Sequence, residues 1–143
     1  MIKRGLLAPM LTPFNDDGSV ATDLYVAHAR RLLKQGCAGI VPFGTTGEGV
    51  SVGIDERIAS ITALVDAGID PEHVIPGTGL NNIVDTARLS RACLDLGCPA
   101  VMTLPPFYFK AVAEEGLYQY FAKLISAIGD DARVYLLSLI HIS

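Results

Sequence analysis

The chain alternates short apolar runs with amphipathic helical patterns, and the alternation recurs about every 30 residues, the length of a βα unit. The runs are continuous rather than alternately apolar and polar, which is typical of strands buried on both faces of a parallel sheet. We therefore predict five strands, over residues 6–11, 38–43, 73–77, 100–104 and 133–137.

Four amphipathic patterns with a helical period lie between the predicted strands. Thr22 and Ser51 are predicted to cap the first two helices, because a hydroxyl at this position accepts a backbone N–H of the first turn. Asn82 is predicted to open the third helix, and the apolar face of the fourth runs from Leu117 to Ile128. A glycine is expected to end each helix, at Gly36, Gly68, Gly97 and Gly129.

This alternation leaves two architectures open. Strands and helices joined by right-handed crossovers form either a doubly wound sheet or a (β/α) barrel. A complete barrel typically takes about 250 residues, so four βα units and a fifth strand amount to about half of one. The pattern alone therefore predicts an α/β fold and, if the fold is a barrel, only part of it.

Composition narrows the classes of partner. The 143 residues include 11 Lys and Arg against 15 Asp and Glu, a formal net charge of −4. Because phosphate contacts need clustered basic residues, no nucleic acid is expected as a partner. No stretch reaches the roughly 18 consecutive apolar residues of a membrane span, so no membrane is expected either. Neither a C-x-x-C pair nor a zinc-finger spacing is present among the cysteines, which are Cys37, Cys93 and Cys98. Their spacing therefore predicts no metal site and favours a reducing cytoplasm.

A glycine-rich loop, VPFGTTGEG at residues 41–49, follows the second predicted strand. Ligands of α/β proteins bind at the carboxyl ends of the strands, where this loop begins. Gly44 and Gly47 allow a tight turn with exposed backbone N–H groups, and Thr45 and Thr46 add two hydroxyls, so the loop can hold a small anion such as a carboxylate. It lacks the lysine of a Walker loop. An ordinary turn with two satisfied threonines is the alternative.

Further motifs accompany this loop in a fixed order: TPF at 12–14, PGTG at 76–79, PPFYFK at 105–110 and EGLYQYF at 115–121. Together they resemble the dihydrodipicolinate synthase / N-acetylneuraminate lyase family. The resemblance implies a homo-oligomeric (β/α)8 TIM barrel, a tetramer or dimer of dimers, of which this chain supplies the first four βα units and a fifth strand. It also implies aldolase chemistry, in which a lysine forms an imine with pyruvate or another 2-oxo acid and no other cofactor is needed.

The resemblance carries roles onto four residues of the loop and one tyrosine. Thr45 is expected to be the hydroxyl of a Thr-Tyr-Tyr proton relay, and Thr46 to hold the carboxylate of the 2-oxo acid. Gly44 and Gly47 are expected to shape the same substrate-binding turn. Tyr108 matches the relay tyrosine, which in the synthase branch reaches into the site of a neighbouring subunit. A loop aromatic that packs on a helix or an interface is the alternative for Tyr108.

Two groups that the resemblance requires are missing. The imine-forming lysine is expected on the sixth strand, whereas none of the lysines here lies on a barrel-facing predicted strand: Lys3, Lys34, Lys110 and Lys123. Leu137 stands where the second relay tyrosine is expected. Residues 1–136 are therefore expected to be the amino-terminal half of a lyase domain, followed at 137–143 by a tail that departs from the family pattern. This chain by itself is expected to be inactive.

The sequence leaves several functional interpretations open. A non-catalytic half barrel that binds a small carboxylate or phosphate at residues 44–47 is the alternative to a lyase. Phe107 and Phe109 around the relay tyrosine, and Gly49 after the loop glutamate, favour a sister aldolase or dehydratase over the synthase proper. Glu48 and Glu56 are expected to be surface groups or helix-dipole partners rather than an acid/base pair.

Overall fold

The computed structural model describes residues 4–137, in which strands and helices alternate. The strands are β1 (Leu7–Pro9), β2 (Gly39–Val41), β3 (Val101–Thr103) and β4 (Val134–Leu136). The helices are α1 (Thr22–Lys34), α2 (Ile54–Asp66), α3 (Ile83–Asp95) and α4 (Glu114–Ile128). Two short 3-10 helices, Gly49–Ser51 and Pro71–His73, lie before and after α2. The four assigned strands are shorter at both ends than the apolar runs that predict them.

All strand pairs are parallel. β1 pairs with β2, with Leu7 opposite Gly39, and β3 pairs with β4, with Val101 opposite Val134. Helix α1 connects the first pair and helix α4 the second, because parallel neighbours need a crossover between them.

The segment 73–77 joins the two pairs, but it is not a regular strand, so the prediction of a strand there is wrong in detail. Val74 bridges to Ile40 in β2 and Gly77 bridges to Met102 in β3, both in the parallel direction. Pro76 has no N–H to donate, which interrupts the ladder between the two bridges. Its carbonyl still accepts the N–H of Met102 at 2.8 Å. The five segments thus lie side by side in chain order, whereas a doubly wound sheet reverses its strand order.

The helix starts follow the predictions only in part. Asn82 caps α3, and its side-chain oxygen accepts the N–H of Asp85 at 2.8 Å. Thr22 and Ser51 are not caps: α1 is capped by the residue before Thr22, and Ser51 ends a 3-10 helix two residues before the cap of α2. The helix ends agree with the sequence, because the glycines after the helices all have positive φ: Gly36, Gly68, Gly97 and Gly129.

The main core lies between the parallel segments and helices α1 to α3. Ile40, Val74 and Val101 come from three neighbouring segments and are fully buried against residues of these helices. Cys93 and Cys98 belong to the same core. A smaller cluster joins α3 to α4. Among residues 4–137, no helix has the length and apolar character needed to cross a bilayer.

The two outer strands carry exposed apolar side chains. Leu6 is 69% exposed and Leu11 59% exposed on either side of β1, and Tyr135 and Leu136 are exposed in β4. Within the described residues, β1 pairs only with β2 and β4 only with β3. The structure thus has the two open edges that half a barrel leaves.

Candidate functional site

A cavity of about 310 Å³ lies at the carboxyl ends of the parallel segments. Its walls come from residues that follow each of these segments except β1: Thr45 after β2, Gly79 after the 73–77 segment, Leu104 after β3 and Leu137 after β4. This is the end of the sheet where α/β enzymes place their sites. The expected position of the glycine-rich loop is therefore correct.

The loop at 44–49 is closed by its own backbone. The carbonyl oxygen of Gly44 accepts the N–H groups of Gly47 at 3.1 Å and Gly49 at 3.2 Å, and the carbonyl of Thr45 accepts the N–H of Glu48 at 3.1 Å. In residues 4–137, no acceptor is found for the N–H groups or the hydroxyls of Thr45 and Thr46. Both side chains are exposed, and Thr45 lines the cavity. The loop thus presents two adjacent sets of donors.

Close packing, rather than left-handed backbone, requires the glycine at position 47. The residues with left-handed φ are Phe43 (57°) and Glu48 (50°), not Gly44 or Gly47. A Cβ at Gly47 would lie 2.6 Å from the carbonyl oxygen of Met10, so only glycine fits against β1. The N–H of Gly47 bonds the carbonyl of Gly44 inside the loop, so the exposed backbone donors of the turn are those of the two threonines. No neighbour lies within 4 Å of a Cβ at Gly44.

Arg57 is a buried cation beside this loop, and the sequence analysis missed it. The residue is 2% exposed and lines the cavity. Its Nε donates to the carbonyl of Val52 at 2.9 Å, and its Nη2 donates to the carbonyl of Gly49. Burial lowers the pKa of the guanidinium from its usual value. A signal was present, because Arg57 lies four residues before buried Ile61, on the inward face of α2.

Tyr108 lies on the surface rather than in the cavity. Its side chain is 75% exposed and meets the ring of Phe109 edge-on, with the ring centres 5.3 Å apart. Phe107 lines the cavity, so the loop itself borders the site. Among residues 4–137, Thr45 lines the cavity and Tyr108 does not.

Asn81 holds the loop that carries Tyr108, and the sequence analysis did not single it out. Its Oδ1 accepts the N–H of Phe107 at 2.9 Å and that of Tyr108 at 3.3 Å. The signal was an asparagine directly before the cap Asn82, in a place where it has no capping role of its own.

The remaining candidate residues are two glutamates, Leu137 and the lysines. Glu56 accepts the N–H of Val20 at 2.8 Å and so fastens the segment before α1, whereas Glu48 is exposed. Leu137 borders the cavity. No lysine of residues 4–137 lines it. In the same part of the chain, no three His, Cys, Asp or Glu residues are grouped as for a metal ion. Beyond Leu137, the predicted tail lies outside the described residues.

Comparison with known proteins places this arrangement in a family. A profile of the Dihydrodipicolinate synthetase family matches residues 3–138. An uncharacterized DapA-like lyase from Chloroflexus aurantiacus is 42% identical over 134 residues, which cover 93% of this chain and 44% of that protein. Dihydrodipicolinate synthase from Agrobacterium tumefaciens, a crystal structure, is 40% identical with a TM-score of 0.92, over 98% of this chain and 49% of that one.

A third relative has been crystallised with a ligand. It is a prophage protein of the dihydrodipicolinic acid synthase family from Escherichia coli K12, in complex with pyruvate. It is 29% identical with a TM-score of 0.80, over 92% of this chain and 43% of that one. The chain thus spans less than half the length of each of these relatives. With the profile match and the parallel segments in chain order, the chain belongs to the dihydrodipicolinate synthetase family, and residues 4–137 form the first four βα units and the fifth strand of its (β/α)8 barrel.

Proposed function

We propose that the chain is the amino-terminal part of a lyase that joins a 2-oxo acid to an aldehyde, or cleaves the product, through an imine. The observation that carries the proposal is the exposed pair Thr45 and Thr46, whose N–H and hydroxyl groups have no acceptor among residues 4–137. Thr45 lines the cavity at the carboxyl ends of the strands, and Thr46 is the next residue of the same loop. A carboxylate is an acceptor that matches such donors. The pyruvate complex of the E. coli relative supports a 2-oxo acid as the ligand.

In the proposed reaction, a lysine amine attacks C2 of the 2-oxo acid and water leaves as the imine forms. Loss of a proton from C3 then gives an enamine, and C3 attacks the aldehyde carbon. Thr46 holds the carboxylate through its N–H and hydroxyl, within the turn that Gly44 and Gly47 shape. Thr45 passes protons in a relay with Tyr108. The lysine comes from the rest of the barrel, so the 143-residue chain alone has no turnover.

The exposure of Tyr108 supports a homo-oligomer, because a tyrosine on the surface of one subunit is free to contact the site of another. We propose a tetramer or a dimer of dimers for the complete protein. The buried, unpaired thiols of Cys93 and Cys98 are compatible with the cytoplasm as its location.

A chimera tests the proposal. Residues 1–136 are continued by the carboxyl-terminal part of the Agrobacterium synthase, and the product is treated with pyruvate and borohydride. We expect a stoichiometric adduct by intact mass. Thr46→Val should reduce trapping by about tenfold, the loss of a charge-assisted hydrogen bond. Thr62→Val is the matched control, because the Thr62 hydroxyl donates to the Ile58 carbonyl inside α2 and Thr62 does not line the cavity. The absence of an adduct contradicts the proposal.

The second candidate function is a non-catalytic half barrel that binds a carboxylate or phosphate. It is favoured by the same N–H groups, which need no lysine. Thr45→Val separates the two functions in the chimera. A lyase loses turnover by about a hundredfold when a proton-relay hydroxyl is removed. A binding loop keeps its affinity for acetate or phosphate, because the backbone donors remain.

A further inference from the structure

We propose that Asn81 is a positioning residue, which fixes the backbone of the loop that carries Tyr108 and so sets where the phenol can reach. The inference rests on the proposed function, because it gives Tyr108 a role in the relay. It adds a residue for which neither the family motifs nor the cavity gives a reason.

The side-chain amide of Asn81 bonds two neighbouring backbone groups of the loop. One oxygen atom, Oδ1 of Asn81, accepts two consecutive N–H groups, those of Phe107 at 2.9 Å and Tyr108 at 3.3 Å. An amide oxygen has two lone pairs and can serve both donors. Two bonds to adjacent residues fix the direction of the chain as well as its distance. The orientation of the Tyr108 Cα–Cβ bond is thereby set.

Apart from the hydrogen bonds to Asn81, the described residues restrain this loop only weakly. Tyr108 is 75% exposed, and Phe107 and Phe109 are exposed as well. In the described part of the chain, the only ring that meets Tyr108 belongs to its neighbour Phe109. An exposed loop gains little from apolar burial, so its position depends on its hydrogen bonds. The Asn81 amide supplies two of them.

The residue before Asn81 is itself held by hydrogen bonds to two helices. The carbonyl of Leu80 accepts the hydroxyl of Tyr120 at 2.6 Å, and the N–H of Leu80 donates to Oγ1 of Thr86 at 3.2 Å. Thr86 is fully buried in α3 and Tyr120 is buried in α4. Asn81 therefore links the loop that carries Tyr108 to helices α3 and α4.

The neighbouring residue supplies a matched control. Asn82 has the same side chain, but its oxygen caps α3 by accepting the N–H of Asp85 at 2.8 Å. Asn82→Ala removes a helix cap, and Asn81→Leu removes the loop restraint. Asn81→Asp keeps an oxygen in the same place and is the conservative variant that should restore function.

Amide hydrogen exchange on the 143-residue chain tests the restraint directly. Asn81→Leu should raise exchange at Phe107 and Tyr108 by about fivefold to tenfold, as expected for the loss of a hydrogen bond at each. Asn81→Asp should leave it within about twofold, and Asn82→Ala should raise exchange in the first turn of α3 instead. Equal exchange at Phe107 and Tyr108 in all four proteins overturns the proposal.

Kinetics of the chimera test the consequence for the relay. Asn81→Leu should lower kcat by about tenfold or more and leave KM for pyruvate within about twofold, because the carboxylate site at Thr46 is untouched. Asn81→Asp should recover most of kcat. If the parent chimera forms the imine and Asn81→Leu has the same kcat as the parent, the positioning role is overturned and the proposed function is not. A parent chimera without an imine overturns the proposed function, and the role assigned to Asn81 falls with it.

Discussion

The hydroxyl of Thr12 donates a 2.7 Å hydrogen bond to the carbonyl oxygen of Gly47, 35 residues further along the chain. The bond is buried and joins the segment after β1 to the loop after β2. Two motifs that are separate in the sequence, TPF and GTTGE, therefore act as one unit. The first motif holds the second in place at the mouth of the cavity.

This relationship gives the first prediction. Thr12→Val keeps the shape of the side chain but leaves the Gly47 carbonyl without its donor in a buried place. The free energy of unfolding should fall by about 1–3 kcal/mol, the cost of an unsatisfied buried acceptor. Urea unfolding of the 143-residue chain measures it. Thr12→Ser retains the hydroxyl and should lose clearly less, and an unchanged midpoint in Thr12→Val would show that the bond does not restrain the loop.

Arg57 gives the second prediction. Arg57→Met removes the donors to the carbonyls of Gly49 and Val52, both part of the turn between the loop and α2. Because hydrogen bonds from a charged group contribute about 1.5–3 kcal/mol each, a loss of about 3 kcal/mol is expected. Arg88→Met is the control, since the Arg88–Asp55 ion pair is exposed and should contribute at most about 1 kcal/mol. Similar losses in both variants would contradict a special role for the buried guanidinium.

The fold could be predicted from the apolar runs and the glycines. Buried strands, and helix ends at a glycine with positive φ, depend on residues close together in the chain. Gly36 and Asn82 show this local control. Ser51 does not, because a 3-10 turn at that point shifts the cap of α2. Arg57 was missed because it counts as polar in a hydrophobic pattern, although the carbonyls of Val52 and Gly49, five and eight residues earlier, accept its hydrogen bonds. Asn81 was missed because its partners lie 26 and 27 residues away.

The cysteines give the third prediction. Cys98 is almost fully buried, and burial raises the pKa of its thiol to about 12. At pH 8 the thiol is therefore protonated, and only a negligible fraction is the reactive thiolate. Cys93 is buried as well, whereas Cys37 is partly exposed. Alkylation of the native chain at pH 8 should label Cys37 first, and mass spectrometry after urea should find all three labelled. Early labelling of Cys98 would contradict the core packing.

The open edges of the barrel give the fourth prediction. Leu6 and Leu11 beside β1, and Leu136 in β4, expose apolar surface next to strand edges whose N–H and C=O groups have no neighbouring strand within residues 4–137. Such edges pair with other chains, and a charged side chain at the edge opposes the pairing. The 143-residue chain should therefore associate in sedimentation velocity, increasingly with concentration, and Leu6→Lys with Leu136→Lys should shift it toward monomer. Leu24→Lys changes an exposed leucine in helix α1 rather than in or beside an edge strand, and it should leave the association unchanged. A parent chain that sediments as a stable monomer would mean that the exposed edges do not govern its behaviour in solution.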